Sequence, residues 1–214
     1  MKRFADRREA GRELAKKLWQ YQGDAVVYAL PRGGVETGLE VARLLDASLG
    51  LVVARKLGHP MMPEYAVCAV TESGPLVCNE VERAALDPLW LAQAEVAERE
   101  EAKRRREVYL TGRKPVMAKA KHAIIVDDGI ATGLTMQAAV AELRTWRPAK
   151  ITVAVPVAPR DAVDELLEVV DEIAVLGDPD DYVGAVGAYY DWFPQLEDEE
   201  VLELLDEAEE NQTS

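Results

Sequence analysis

Cysteine, histidine and phenylalanine occur only twice each among 214 residues. Cys68 and Cys78 are too few for a disulfide framework, and no second Cys or His pair stands near them for zinc, so two small half-buried thiols are expected. Long apolar runs are missing as well. None approaches the roughly 20 residues that cross a bilayer, which speaks against a membrane partner. The basic start, Met1 to Arg8, lacks the apolar stretch of a secretory signal, and the expectation is a cytoplasmic protein. Positive charge is scarce: 25 Lys and Arg against 39 Asp and Glu leave a net charge of −14. Such a field repels a phosphate backbone and argues against nucleic acid as a partner, while a locally positive cleft can still hold a small anion. Also absent is a Gly-x-Gly-x-x-Gly turn after the first strand, which disfavours a dinucleotide enzyme.

What remains is rich in apolar residues, at 49%, enough for one well-filled domain over 1–214. Asp6 is placed to cap a helix reaching about Tyr21, with Ala10, Leu14, Ala15 and Leu18 at helical spacing. Continuous apolar runs at Ala25–Leu30, Leu49–Ala54, Ile124–Val126, Ile151–Val155 and Asp171–Leu176 read as buried strands. The segments between several of them read as helices, at Val35–Leu45, Met136–Trp146 and about Arg160–Val169. Strands apolar on both faces and alternating with helices predict an α/β fold with a parallel sheet covered on each side. Residues 57–79 read as irregular because of Pro60, Pro63, Gly74 and Pro75, with a hairpin pairing Ala66–Thr71 with Leu76–Cys78. Asp87-Pro88 opens a long helix to about Tyr109 whose Arg104, Arg105 and Arg106 read as a solvated face paired with glutamates. The dense acids of Leu196–Glu210 read as the outer face of a further helix. Trp19, Trp90, Trp146 and Trp192 are expected to pack.

Residues 124–135, Ile-Ile-Val-Asp-Asp-Gly-Ile-Ala-Thr-Gly-Leu-Thr, carry most of the chemistry. A buried strand ends in two acids, turns at Gly129, and passes through Ala131, Thr132, Gly133, Leu134 and Thr135 into a helix. Backbone N–H groups at a helix N-terminus suit a phosphate. Asp127 and Asp128 cannot bind phosphate directly and call for hydroxyls or a divalent cation. In open parallel sheets ligands lie beyond the C-terminal strand ends. Two further strand ends carry polyanion-binding chemistry, Pro31-Arg32-Gly33-Gly34 and Arg55-Lys56. Paired glycines admit close backbone approach, and the cations neutralise phosphate charge.

The 124–135 segment resembles the signature of the type I phosphoribosyltransferases, and Leu30-Pro31-Arg32-Gly33-Gly34 resembles that family's pyrophosphate loop. Arg55-Lys56-Leu57-Gly58, with the segment after it, resembles its flexible catalytic loop. The order Arg55–Pro60, Pro63–Ala66, Ala154–Ala158 and Val186–Tyr190 is similar to a bacterial and archaeal subgroup whose acceptor is unclear. Leu134 departs from the pattern, standing where glycine is commoner.

The resemblance implies a single-domain fold with a Rossmann-like core, a flexible loop plus helical insertion over 57–115, a small hood, and an acidic helix and tail over 196–214. It implies transfer of a 5-phosphoribosyl group from phosphoribosyl pyrophosphate to a small nitrogenous acceptor, with Mg²⁺ as cofactor and a homodimer as a family habit. Asp127 and Asp128 would grip the ribose hydroxyls and meet the metal through the ligand. Gly129 and Ala131–Thr135 would seat the 5-phosphate. Arg32, Gly33 and Gly34 would bind pyrophosphate, with Lys56 and Arg55 adding charge. Tyr189–Phe193 would either form part of the hood or pack the chain's end. The competing reading is a non-catalytic sensor of nucleotides or of the same donor.

Overall fold

The structure, a computed structural model, describes residues 2–213. Helix α1 (Arg7–Lys17) starts where Asp6 accepts the Glu9 backbone N–H at 2.7 Å. Then come β1 (Ala25–Ala29), α2 (Gly33–Leu44) and β2 (Ser48–Leu51). An antiparallel excursion follows, β3 (Ala54–His59), β4 (Met62–Thr71) and β5 (Val77–Cys78), and then α3 (Glu80–Ala85) and α4 (Pro88–Leu110). Alternation resumes with β6 (His122–Val126), α5 (Leu134–Thr145), β7 (Lys150–Val155), α6 (Arg160–Leu167) and β8 (Glu172–Val175), and α7 (Asp198–Thr213) follows.

Five strands form one parallel sheet in the order β2-β1-β6-β7-β8. Because side chains alternate across a strand, Val27 and Ile124 face Leu14, Leu39 and Leu205, while Tyr28 and Ile125 face Met136, Val140 and Leu166. Each fully buried Ile or Leu contributes about 1.5–3 kcal/mol by removal from water. Both faces are therefore covered, as the continuous apolar strands required. Among the described residues no helix is long and apolar enough to cross a membrane.

Three expectations need correction. Residues 57–79 are not irregular: the expected pairing of Ala66–Thr71 with Leu76–Cys78 is present as β4–β5, and β3 forms a further hairpin with the other edge of β4. Its prolines lie at the tip, where the register shifts between Leu57 and His59 and the ladder tolerates a missing donor. Gly58 is needed there, because a Cβ would lie 2.1 Å from the Pro63 carbonyl oxygen. Consequently Arg55 and Lys56 do not end a strand of the parallel sheet; β2 stops at Leu51 and both cations sit on β3. Second, Cys68 and Cys78 are not separate thiols. They stand opposite one another in the β4–β5 register and form a disulfide. Third, Trp19 and Trp192 are exposed, at 55% and 69%, whereas Trp90 and Trp146 pack against apolar clusters. The long helix does begin at Pro88, with Asp87 accepting from the Leu89 and Trp90 N–H groups. Its Arg104 and Arg105 pair with Glu101, and Arg106 pairs with Glu72.

Candidate active site

β1 and β6 are neighbours, so the turns that leave them are neighbours too. After β1 the chain passes through a cis Pro31–Arg32 peptide into α2, which starts without a side-chain cap. After β6 come Asp127 and Asp128. The two turns interlock. A Cβ on Gly33 would fall 1.9 Å from Asp128 Oδ2, and one on Gly34 would fall 2.8 Å from Asp127 Oδ1. Only glycine allows the backbone of the first turn to lie against the acids of the second.

The acid pair is held by groups from distant parts of the chain. Asp127 Oδ1 accepts the Asp128 backbone N–H at 2.8 Å. Arg7 Nε donates to Asp128 Oδ2 at 2.7 Å. The Tyr190 hydroxyl donates to the Asp128 carbonyl oxygen at 2.6 Å. Burial, and then the neighbouring Asp128 charge, push the Asp127 carboxyl well above the ordinary carboxylate range. Burial raises Asp128 also, against the pull of Arg7. Glu36, on the first turn of α2, is raised by burial while Arg7 and Arg8 oppose it. Two adjacent carboxyls held this way are short of positive charge, and a hydroxyl pair or a cation shared with ligand oxygens would relieve them.

Beyond the acids, Gly129 lies beneath Val186, where a Cβ would come within 2.5 Å of a valine methyl. The Ile130 N–H donates to the Val157 carbonyl at 2.9 Å. Ala131 and Thr132 are exposed, and Gly133, at φ +82°, turns the chain left-handed into α5. No side chain caps that helix, so its first-turn N–H groups and its dipole face outward, the arrangement that seats an anion. Leu134 is buried beneath the helix start and Thr135 is half-buried. The leucine thus points into the core and leaves the cradle's rim unobstructed.

The remaining predicted cations are engaged elsewhere. Arg32 Nη1 donates to Glu197 Oε2 at 2.7 Å and lies 3.8 Å from Asp198. Lys56 pairs with Glu64 at 3.0 Å, and Arg55 with Glu98 at 2.8 Å. Neither β3 cation pairs with the acid pair or with the Gly129–Thr135 turn. Arg32 adjoins the acid pair through its neighbours Gly33 and Gly34. Among the described residues no group of three or more His, Cys, Asp or Glu is arranged to hold a metal ion. Two oxygen donors such as Asp127 and Asp128 fit a hard cation only when a ligand and water complete its shell.

Sequence reading missed Arg7 and Glu36 and left Tyr189–Phe193 undecided. Arg7 contacts Asp128 across 121 positions, and no local pattern marks such a pair. Tyr190 and Phe193 pack beside the acids: their rings stack at 4.7 Å, and Phe193 lies under the Arg7 guanidinium at 3.8 Å.

Residues 2–191 match the sequence family described as phosphoribosyl transferase domain. The chain is 42% identical over 211 residues to Rv0571c of Mycobacterium tuberculosis H37Rv, whose name assigns it provisionally to the phosphoribosyl transferases. That alignment covers 97% of this chain and 47% of the relative, so the chain spans about half the length of the curated relatives it matches. The crystal structure of TT1426 from Thermus thermophilus superposes with a TM-score of 0.80 at 40% identity, covering 96% of this chain and 98% of that one.

Proposed function

The chain belongs to the phosphoribosyl transferase domain family, and on that premise we propose that it transfers a 5-phosphoribosyl group from phosphoribosyl pyrophosphate to a nitrogen acceptor of nucleobase type. One observation carries the reading: Gly33 and Gly34 press against Asp128 and Asp127, which supports taking the first turn as the pyrophosphate loop and the acids beside it as the ribose contacts. In this reading the 5-phosphate sits on the N–H groups of Ala131–Thr135 at the start of α5. Asp127 and Asp128 accept from the 2- and 3-hydroxyls. Arg32 and the Gly33 and Gly34 backbone hold the pyrophosphate. The C–O bond to pyrophosphate breaks, a C–N bond forms at the anomeric carbon, and the acceptor nitrogen gives up its proton.

The chain's contribution is positional and electrostatic. A carboxylate pair near the ring favours the cationic, oxocarbenium-like transition state, and the guanidinium of Arg32 offsets charge on the leaving group. Lys56 and Arg55 add to this by movement of the β3–β4 hairpin, which frees Arg55 from Glu98 on α4, while Lys56 exchanges Glu64, its partner on the same hairpin, for the phosphate. Mg²⁺, held by Asp127 and Asp128 through ligand oxygens, would supply further neutralisation of the pyrophosphate.

A second reading has its own support. Arg32 and Lys56 are already paired with Glu197 and Glu64, as expected for a domain that senses the donor without releasing pyrophosphate. Pyrophosphate release, measured with donor, Mg²⁺ and a panel of purine and pyrimidine bases, separates the two. Turnover with any base supports transfer. Donor binding with no release across the panel supports the sensor, and no donor binding at all overturns both.

A further inference from the structure

We infer that Arg7 is the positioning residue of the acid pair, fixing the Asp128 carboxylate for the sugar hydroxyls and tying it to the Tyr190–Pro194 segment. The inference rests on the donor-binding reading above and names a residue which that reading does not require. Arg7 is 4% exposed, and each part of its guanidinium has a separate task. Nε donates to Asp128 Oδ2 at 2.7 Å, Nη1 donates to the Pro194 carbonyl at 2.8 Å, and the flat face lies 3.8 Å from the centre of the Phe193 ring. Phe193 stacks in turn on Tyr190, whose hydroxyl holds the Asp128 carbonyl. Asp128 is therefore clamped at its carboxylate and at its backbone by one interlocked set of three side chains.

Stability alone is a weak reason for such a clamp. A buried ion pair seldom stabilises more than apolar groups of the same volume, because both charges lose water. What the pair adds is direction. With Oδ2 held by Arg7, the Asp128 carboxylate cannot rotate, and its plane relative to Asp127 is set before any ligand arrives. The packing agrees: a Cβ on Gly33 would lie 1.9 Å from Asp128 Oδ2 and 3.0 Å from Arg7 Nε, so the clamp sits directly against the Gly33 turn. Only a planar fork can bond in two directions and stack at once, so lysine should substitute poorly.

The test compares two ligands, each titrated calorimetrically into the full chain with Mg²⁺ withheld. Phosphoribosyl pyrophosphate needs the acid pair for its hydroxyls, whereas inorganic pyrophosphate, with no metal to link it to Asp127 and Asp128, does not. Arg7→Met is expected to keep its circular dichroism spectrum and to bind pyrophosphate within about threefold of wild type, while donor affinity falls at least about 30-fold, the scale for unpairing a buried charge. Arg7→Lys is expected to restore less than a tenth of that loss. Wild-type donor affinity in Arg7→Met, or an equal loss for both ligands, overturns the inference. Should Arg7→Met fail to fold, Phe193→Leu decides in the same comparison: donor affinity falls about fivefold and pyrophosphate affinity holds if the stack positions the clamp, and no change refutes it. A wild-type chain that ignores the donor sinks the functional reading and this inference together, an outcome distinct from variant-specific failure.

Discussion

At the N-terminal end of the parallel sheet, Glu172 accepts from Lys150 Nζ at 2.6 Å and from the Tyr21 hydroxyl, and His122 shares a 2.8 Å hydrogen bond with Thr152. At the C-terminal end, Asp127 and Asp128 stand side by side with Arg7 as the cation against them. The same strands carry both ends, yet their electrostatics are opposite. Lys150 and Tyr21 hold the Glu172 carboxyl below its ordinary range, while burial and mutual repulsion hold Asp127 far above its own. One end satisfies its charges internally and contributes to the fold. The other leaves them short, and the proposed donor would relieve that shortfall.

Variants at the two ends should therefore behave differently. The largest effect is expected at the acids. Asp128→Ala should lower turnover by about 10²–10³, near 3–4 kcal/mol of barrier stabilisation, with an unchanged circular dichroism spectrum. Gly33→Ala comes next. Its methyl would collide with Asp128 Oδ2, and overpacking of this kind costs about 1–3 kcal/mol, measured as a lower unfolding midpoint together with weaker donor binding.

Asp127→Asn inverts the usual direction. Asp127 has a raised pKa in the folded chain, so between its unfolded and folded values the native state holds a proton that the unfolded state lacks. Stability therefore falls as pH rises through that window, and the penalty is complete above it. Asparagine carries no such penalty. The variant should unfold roughly 2–4 °C higher than wild type at pH 8, about 1 kcal/mol, and the gain should shrink toward pH 4. Glu172→Gln at the opposite end should go the other way, losing less than about 1 kcal/mol because that pair is partly solvated. A stabilised Glu172→Gln would break the comparison. The smallest effect concerns Arg32. Glu197→Gln removes the nearer of its two carboxylate partners, leaving Asp198 at 3.8 Å, and should tighten inorganic pyrophosphate about two- to fivefold, the scale of a solvated ion pair.

The sequence made the parallel sheet and the 124–135 turn legible for one physical reason: both are local. Strands buried on both faces are apolar throughout, and a strand, two acids and a glycine-broken helix start occupy twelve consecutive positions. The β3–β4 hairpin escaped because its inner half is buried and its tip is exposed and carries prolines, so no run of one period marks it. The Cys68–Cys78 bond escaped although the pairing of its two strands was legible, because the turn between them leaves open which residues stand opposite one another. Arg32, Gly33 and Gly34 were legible as a group, yet not the engagement of Arg32 by Glu197, which lies 165 positions away. Arg7 stood in a basic stretch beside a helix cap, where nothing local distinguishes a buried arginine from a surface one.

The central claim is that the acid pair and the neighbouring N–H cradle together bind an activated, phosphorylated pentose. Calorimetric titration of phosphoribosyl pyrophosphate with Mg²⁺ into wild type and into Asp127→Ala, Asp128→Ala tests it most directly. Measurable affinity is expected in the wild type and a loss of about 10³ or more in the folded double variant, the sum of two carboxylate contacts. Equal affinity in both proteins would contradict a donor-binding role for the acid pair.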